Sequence, residues 1–198
     1  VNREIWNERY RGTDLVWGSG PNRFLVEVTD SLTPGRALDV ACGEGRNAIW
    51  LAGNGWAATG VDFSATGLDK GRRLAAERGV SVTWIEADVT AWEPPGEYDL
   101  IAAMYVHLPA EVRRTVHATL VAALAPGGSL LVVGHDRTNL TDGFGGPPDP
   151  DILFTPEEIA AELAPLTVSR SERVTREVET EHGMRQAIDT LVLAERTA

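Results

Sequence analysis

Leu38-Asp39-Val40-Ala41-Cys42-Gly43-Glu44-Gly45-Arg46-Asn47 runs from a short apolar segment into a glycine turn and on into a helical pattern. Glycines at such a turn let a ligand lie against the backbone, where a Cβ would block it, and the following helix offers unpaired N–H groups. Gly43-x-Gly45-x-x-Ala48 satisfies the loose dinucleotide-binding pattern. These residues by themselves support a nucleotide-like ligand.

Outward from this turn, apolar runs suited to buried strands alternate with stretches of helical period, the pattern of an α/β chain. Strands are predicted at 37–40, 58–62, 80–86, 98–104 and 129–134. Between them, Ala48, Ile49, Leu51 and Ala52 share a helix face that Asn54-Gly55 ends, and Ser64 caps a helix running to about Arg78, before Gly79. Pro109 opens a third helix whose expected apolar stripe is Val112, Val116, Leu120 and Leu124, and Pro126-Gly127-Gly128 turns into the fifth strand. Residues 136–154, rich in Gly, Pro, Asp and Asn, read as a long irregular segment with the character of a lid. Thr155-Pro156-Glu157-Glu158 then combines an N-cap, a first-turn proline and a capping-box glutamate. The last apolar runs, 166–171 and 187–194, are expected to pair as an edge hairpin, joined by a polar stretch containing His182-Gly183.

Composition narrows the function. The 198 residues suit one domain, and 18 basic against 29 acidic residues give a formal charge of −11, which repels nucleic acid and anionic membranes. The pairs Arg72-Arg73 and Arg113-Arg114 read as solvated helix faces, as do His117, His182, the Trp92-Glu93-Pro94-Pro95 turn and the acidic cluster at 177–181 as surface. Cys42 is the single cysteine, which excludes an intrachain disulfide and a cysteine-rich zinc site; it reads as a packing residue in a cytoplasmic protein with no metal. No apolar run is long enough to span a bilayer, and Val1-Asn2-Arg3-Glu4-Ile5-Trp6 lacks a signal-peptide core.

A carboxylate that could accept both hydroxyls of a ribose follows at Asp62, nineteen residues after Gly43 and at the end of the second predicted strand. Asp88 follows the third strand and Asp39 lies inside the first, which adds negative charge to that of Asp62. That environment disfavours a pyrophosphate and tolerates a phosphate-free nucleoside bearing a sulfonium.

With these motifs in this order, the chain resembles the class I S-adenosylmethionine-dependent methyltransferases over residues 36 to 134. The resemblance implies a doubly wound, mostly parallel seven-stranded sheet with helices on both faces and a C-terminal antiparallel hairpin. It places Asp39 and Gly43 near the methionine part of the donor, Asp62 at the family's acidic position on the second strand, Phe63 against the adenine and Asp88 at the adenine amino group, with Ala41, Gly45, Arg46 and Val89 as further expected donor-binding residues. Met104 and Tyr105, in Met104-Tyr105-Val106-His107-Leu108, fall at the donor's edge. Arg46-Asn47 stand where many members carry a further glycine. The implied cofactor is S-adenosyl-L-methionine, with S-adenosyl-L-homocysteine as product.

The flanks are similar to the small tellurite-resistance and thiopurine-type methyltransferases, through Trp6-x-x-Arg9-Tyr10, Trp17-Gly18-x-Gly20-Pro21-Asn22 and Asp149-x-Asp151-Ile152-x-Phe154-Thr155. In those relatives the N-terminal segment folds over the donor, which adds Trp6, Tyr10, Trp17 and Asn22 to the expected donor site. The domain then divides into cap helices (1–34), donor-binding core (36–134), acceptor lid (136–154) and a closing helix with hairpin (155–198). The expected partner is a small-molecule acceptor. A thiolate, selenide or telluride would need no base, whereas a hydroxyl or ammonium would; His107, and His135 beside Asp136, at strand ends, are the candidates. Two other readings use the same turn: a non-catalytic S-adenosylmethionine sensor, and a nicotinamide-dependent oxidoreductase, for which the chain is short.

Overall fold

A computed structural model describes residues 2–181 and 183–198. Val1 and His182, both named above, lie outside the described residues. The chain divides into two compact units, Val1–Ala102 and Ala103–Ala198.

The first unit opens with two short helices, α1 (Arg3–Arg9) and α2 (Arg23–Thr29), each capped by an asparagine side chain, Asn2 and Asn22. Then β1 (Arg36–Val40), α3 (Arg46–Gly53), β2 (Ala57–Asp62), α4 (Ala65–Glu77) and β3 (Thr83–Glu86) follow. β1 pairs with β2 and β2 with β3, both parallel, with Asp39 beside Gly60 and Asp62 beside Glu86. Leu38, Val40 and Val61 are buried, as expected of strands covered by helices, and α3 and α4 pack on them. Ser64 caps α4 by accepting the Gly67 N–H at 3.1 Å. The third strand begins at Thr83 rather than at the predicted residue 80. The Val80 N–H closes the end of α4 on the Ala75 carbonyl at 3.0 Å, so this residue is taken by the helix terminus.

β4 (Tyr98–Met104) crosses the division between the units. The second unit then holds α5 (Ala110–Ala122), β5 (Leu124–His135), α6 (Asn139–Asp142), a 3₁₀ turn at Pro150–Ile152, α7 (Pro156–Glu162), β6 (Thr167–Thr180) and β7 (Gly183–Glu195). β7 pairs antiparallel with both β5 and β6. In hydrogen-bonded order the strands run β3-β2-β1-β4-β5-β7-β6, a seven-stranded mixed sheet with the predicted C-terminal hairpin. The order reverses direction after β1, at the strand that feeds the glycine turn, where α/β sheets open a crevice for ligands.

Three local predictions change. The hairpin is far longer than its apolar runs, because Val174, Arg176 and Val178 alternate with outward polar residues and carry the pairing to Thr180↔Gly183. Residues 136–154 are not structureless: α6 and the 3₁₀ turn occupy them, and a parallel bridge between Asp136 and Phe154 ties the two ends. On α5 the buried stripe is Arg113, Val116, His117 and Leu120, while Val112 is 37% exposed. The stripe is displaced by one residue because Arg113 and His117 are held inside by Glu162 of α7. Glu162 receives Arg113 Nη2 at 2.7 Å and faces His117 Nδ1 at 2.8 Å. Burial opposes ionisation of Glu162, but the hydrogen bonds from His117 and Arg113, with the Arg113 charge, hold its carboxyl below the usual range. Arg113 and His117 are therefore buried elements of the α5–α7 contact, not surface groups as predicted.

Candidate functional site

The glycine turn is held by two buried aspartates. Asp62 Oδ2 accepts the Gly43 N–H at 2.8 Å and Oδ1 accepts the Ser64 N–H at 2.8 Å, so one carboxylate orients both the turn and the start of α4. Burial raises its pKa, against the N–H groups of Ser64, Gly43 and Phe63. Asp39 Oδ2 accepts the Ala48 N–H at 3.1 Å from the first turn of α3. Burial pushes the Asp39 carboxyl up to about 7, opposed by the Ala48 N–H and the Arg46 charge.

Backbone geometry marks the same place. Gly43 and Gly45 take left-handed φ of 55° and 75°. Ala41 (φ 53°) and Tyr105 (φ 59°) are the two non-glycine residues with positive φ among the described residues, and both are predicted site positions. Sparsely populated conformations of this kind gather at functional sites. Cys42 is half-buried and its thiol is pushed well up by burial and by Asp39 and Asp62, so it is no thiolate nucleophile.

The N-terminal segment lies directly on this turn. A Cβ on Gly43 would come within 2.5 Å of the Tyr10 hydroxyl, so the glycine is needed here to admit the tyrosine. Trp6 packs on Tyr10 at 5.6 Å and on Trp17 at 6.3 Å, the Arg9 guanidinium lies 4.7 Å from the Trp17 ring centre, and Trp17 Nε1 donates to Tyr10 Oη at 3.3 Å. Asn47 Oδ1 accepts the Asn22 N–H at 2.9 Å, and Arg46 Nη1 donates to the Trp17 carbonyl at 2.8 Å. Trp6, Tyr10, Trp17, Asn22, Gly43 and Arg46 thus form one group. Phe63 is half-buried and Val89 buried; Asp88 is exposed, with Oδ1 accepting both N–H and Oγ1–H of Thr90 within its own turn.

Sequence reasoning passed over three side chains here. Glu44, between the motif's glycines, is 4% exposed and pairs with Lys70 Nζ at 2.9 Å, while its other oxygen accepts the Val16 N–H at 2.9 Å. Lys70 also donates to the Asp14 carbonyl at 2.8 Å. Trp84 of β3 fills the space against Gly45, Gly60 and Gly71, where added Cβ atoms would meet its ring at 2.2 to 3.0 Å. The signal for Glu44 was its charge at a position flanked by left-handed glycines; Lys70 and Trp84 gave none until the strands were paired.

In the second unit, Met104, Tyr105, His107 and His135 lie at the ends of β4 and β5. His107 Nε2 accepts the His135 backbone N–H at 3.1 Å, which fixes the remaining ring proton on Nδ1. Burial, with His135 nearby, lowers the His107 pKa to about 3. His107 is accordingly expected to stay neutral from pH 5 to about 9; ring chemical shifts followed by NMR across that range check this, and a titrating ring would contradict it. Asp189 of β7, absent from the sequence reading, is fully buried and accepts Tyr105 Oη–H at 2.8 Å and Arg176 Nε–H at 2.7 Å.

Among the described residues no helix is long and apolar enough to cross a membrane. A methyltransferase domain model matches residues 37–128. A 2-heptyl-1-hydroxyquinolin-4(1H)-one methyltransferase of Mycobacteroides abscessus is 32% identical over 134 residues, 66% of this chain and 59% of the relative. Thiocyanate methyltransferase 1 of Arabidopsis thaliana is 28% identical over 174 residues, 84% of this chain and 75% of the relative. This chain thus spans less than two thirds of the first relative's length. Among solved structures, the N-methyltransferase NodS of Bradyrhizobium japonicum WM9, in complex with S-adenosyl-L-homocysteine, superposes with a TM-score of 0.77 at 18% identity, each chain covered in full.

Proposed function

We propose that this chain, whose residues 37–128 match a methyltransferase domain model, is a class I S-adenosylmethionine-dependent methyltransferase that transfers the methyl group of S-adenosylmethionine to a small-molecule acceptor. The observation that carries this reading is the Asp62–Gly43 pairing. It places a buried carboxylate, with lone pairs left for a ribose, against the backbone of a left-handed glycine turn.

The residues fit the donor by charge. When bound, S-adenosylmethionine supplies an electrophilic methyl group on a positively charged sulfur. Asp39 would face its ammonium, Asp62 its ribose and Phe63 its adenine, with Asp88 and Val89 at the adenine edge and Ala41, Gly45 and Arg46 shaping the turn. Met104 and Tyr105 would border the donor. Tyr10, Trp6 and Trp17, with Asn22 bonded to Asn47, would cover it and exclude water. Dry enclosure and alignment are the main help an in-line displacement needs. By their names, the two relatives act on 2-heptyl-1-hydroxyquinolin-4(1H)-one and on thiocyanate, which supports a small acceptor here.

Asp39 gives this reading a pH test. Its carboxyl is largely protonated below about 7 in the free protein, and an ammonium beside it favours the ionised form. Donor binding is therefore expected to release a proton and to strengthen as pH rises from about 5 to 7. Calorimetry in buffers of different ionisation enthalpy checks the proton count, and Asp39→Asn should abolish the slope. Labelled donor with a panel of thiols, tellurite, selenite and phenols tests turnover; a protein that binds the donor and methylates no member of a broad panel would argue for a sensor.

A further inference from the structure

Tyr10 is the one buried residue between positions 2 and 21, and the strap that joins α1 to α2, residues 11–21, buries none. An apolar core of its own does not hold such a stretch, so its place depends on bonds from its backbone to other elements. Four side chains beyond the strap supply them. Glu44 accepts the Val16 N–H at 2.9 Å, and Lys70 donates to the Asp14 carbonyl at 2.8 Å. Arg46 donates to the Trp17 carbonyl at 2.8 Å and Arg78 to the Ser19 carbonyl at 3.0 Å. The last two bonds are exposed, where water competes for each partner. Glu44 and Lys70 are 4% and 8% exposed and bond to each other at 2.9 Å, so theirs are the ties least open to water.

Both ties lead to the donor turn. Glu44 belongs to it, between Gly43 and Gly45, so its carboxylate joins the strap to the backbone on which the donor would lie. Val16 precedes Trp17, whose Nε1 donates to the Tyr10 hydroxyl at 3.3 Å, and that hydroxyl sits against Gly43. A buried ion pair adds little net stability over well-packed apolar residues of the same volume. What leucine and methionine cannot supply is an acceptor for the Val16 N–H and a donor for the Asp14 carbonyl. The chemistry of the pair therefore matches the strap's backbone rather than the needs of a core.

We propose that Glu44 and Lys70 are positioning residues of the donor site: without touching the donor, they fasten residues 11–21 beside the glycine turn and so set how slowly a bound nucleoside leaves. The proposal rests on the donor-binding reading above. A nucleoside lying under Tyr10 leaves when the strap lifts, and lifting breaks the bonds to Val16 and Asp14 at two charged, buried partners. A looser strap does not slow entry, so the effect falls on dissociation.

The test is the double variant Glu44→Leu with Lys70→Met, whose stability should stay close to wild type. Stopped-flow tryptophan fluorescence with S-adenosylhomocysteine is expected to show dissociation about 10- to 100-fold faster than from wild type, with association no slower. Arg78→Met, which removes an exposed tie, should change dissociation by less than about threefold. A measurement on the wild-type chain stands beside these in case the double variant does not fold. Its Val16 amide should be protected from hydrogen exchange, and more strongly with S-adenosylhomocysteine bound. A stable double variant with wild-type dissociation, dissociation from Arg78→Met as fast as from the double variant, or a Val16 amide that exchanges like an open peptide would overturn the proposal. Any of those outcomes with S-adenosylhomocysteine bound by the wild-type chain defeats this inference alone, whereas no binding by the wild-type chain defeats the donor-binding reading itself.

Discussion

Asp62→Ala is expected to weaken S-adenosylmethionine binding by about 10²- to 10⁴-fold, the loss of two ribose hydrogen bonds to a charged acceptor at about 1.5–3 kcal/mol each. The substitution also frees the N–H groups of Gly43 and Ser64, which Asp62 holds at 2.8 Å each. The turn would then lose its shape as well as its charge. Asp62→Asn keeps an acceptor oxygen for one of those N–H groups and is expected to fall between wild type and alanine. Calorimetry with donor and product on all three proteins checks the order, with circular dichroism verifying that each is folded. Wild-type affinity in the alanine variant would remove Asp62 from the ribose.

The second large effect is on stability. Lys70 and Glu44 are 8% and 4% exposed at the side chain and 2.9 Å apart. Removing one partner of such a pair leaves the other charge buried, which costs about 3–5 kcal/mol. Lys70→Met is expected to lower unfolding free energy by that amount in urea titrations. The loss should be accompanied by faster tryptic cleavage at Arg11, because the Asp14 carbonyl is bound by Lys70 and the Val16 N–H by its partner Glu44. The double change Glu44→Leu with Lys70→Met should recover most of the stability, since apolar replacement of a whole buried pair is close to neutral. A single variant as stable as wild type would show the pair to be incidental.

The sequence made the parallel core legible because its signals are local. Apolar runs such as 37–40 and 98–104, the Ser64 cap, the Thr155–Glu158 capping box and the glycine turn all act within a few residues, and each appears where the residues imply. What escaped depends on partners distant along the chain. Arg113 and His117 read as surface until Glu162, 49 and 45 residues on, folds against them. Asp189 meets Tyr105 across 84 residues, and no spacing rule links them. The polar reach of the hairpin was missed for a different reason: its pairing is carried by backbone alternation in a mostly exposed strand, where the apolar signal is weak. In the donor region the candidates Gly43, Asp62 and Tyr10 were legible by type, but the contact of Tyr10 with the glycine backbone was not.

The central assertion is that the carboxyl ends of β1 to β3 receive an adenosine bearing a charged sulfur, and a crystal grown with S-adenosylhomocysteine tests it most directly. The predicted result is a nucleoside lying over Gly43 beneath the Tyr10 ring, its two ribose hydroxyls on Asp62 and its amino group facing Asp39. A crystal at saturating ligand in which Tyr10 and Trp84 close that space and no nucleoside touches Asp62 would contradict it.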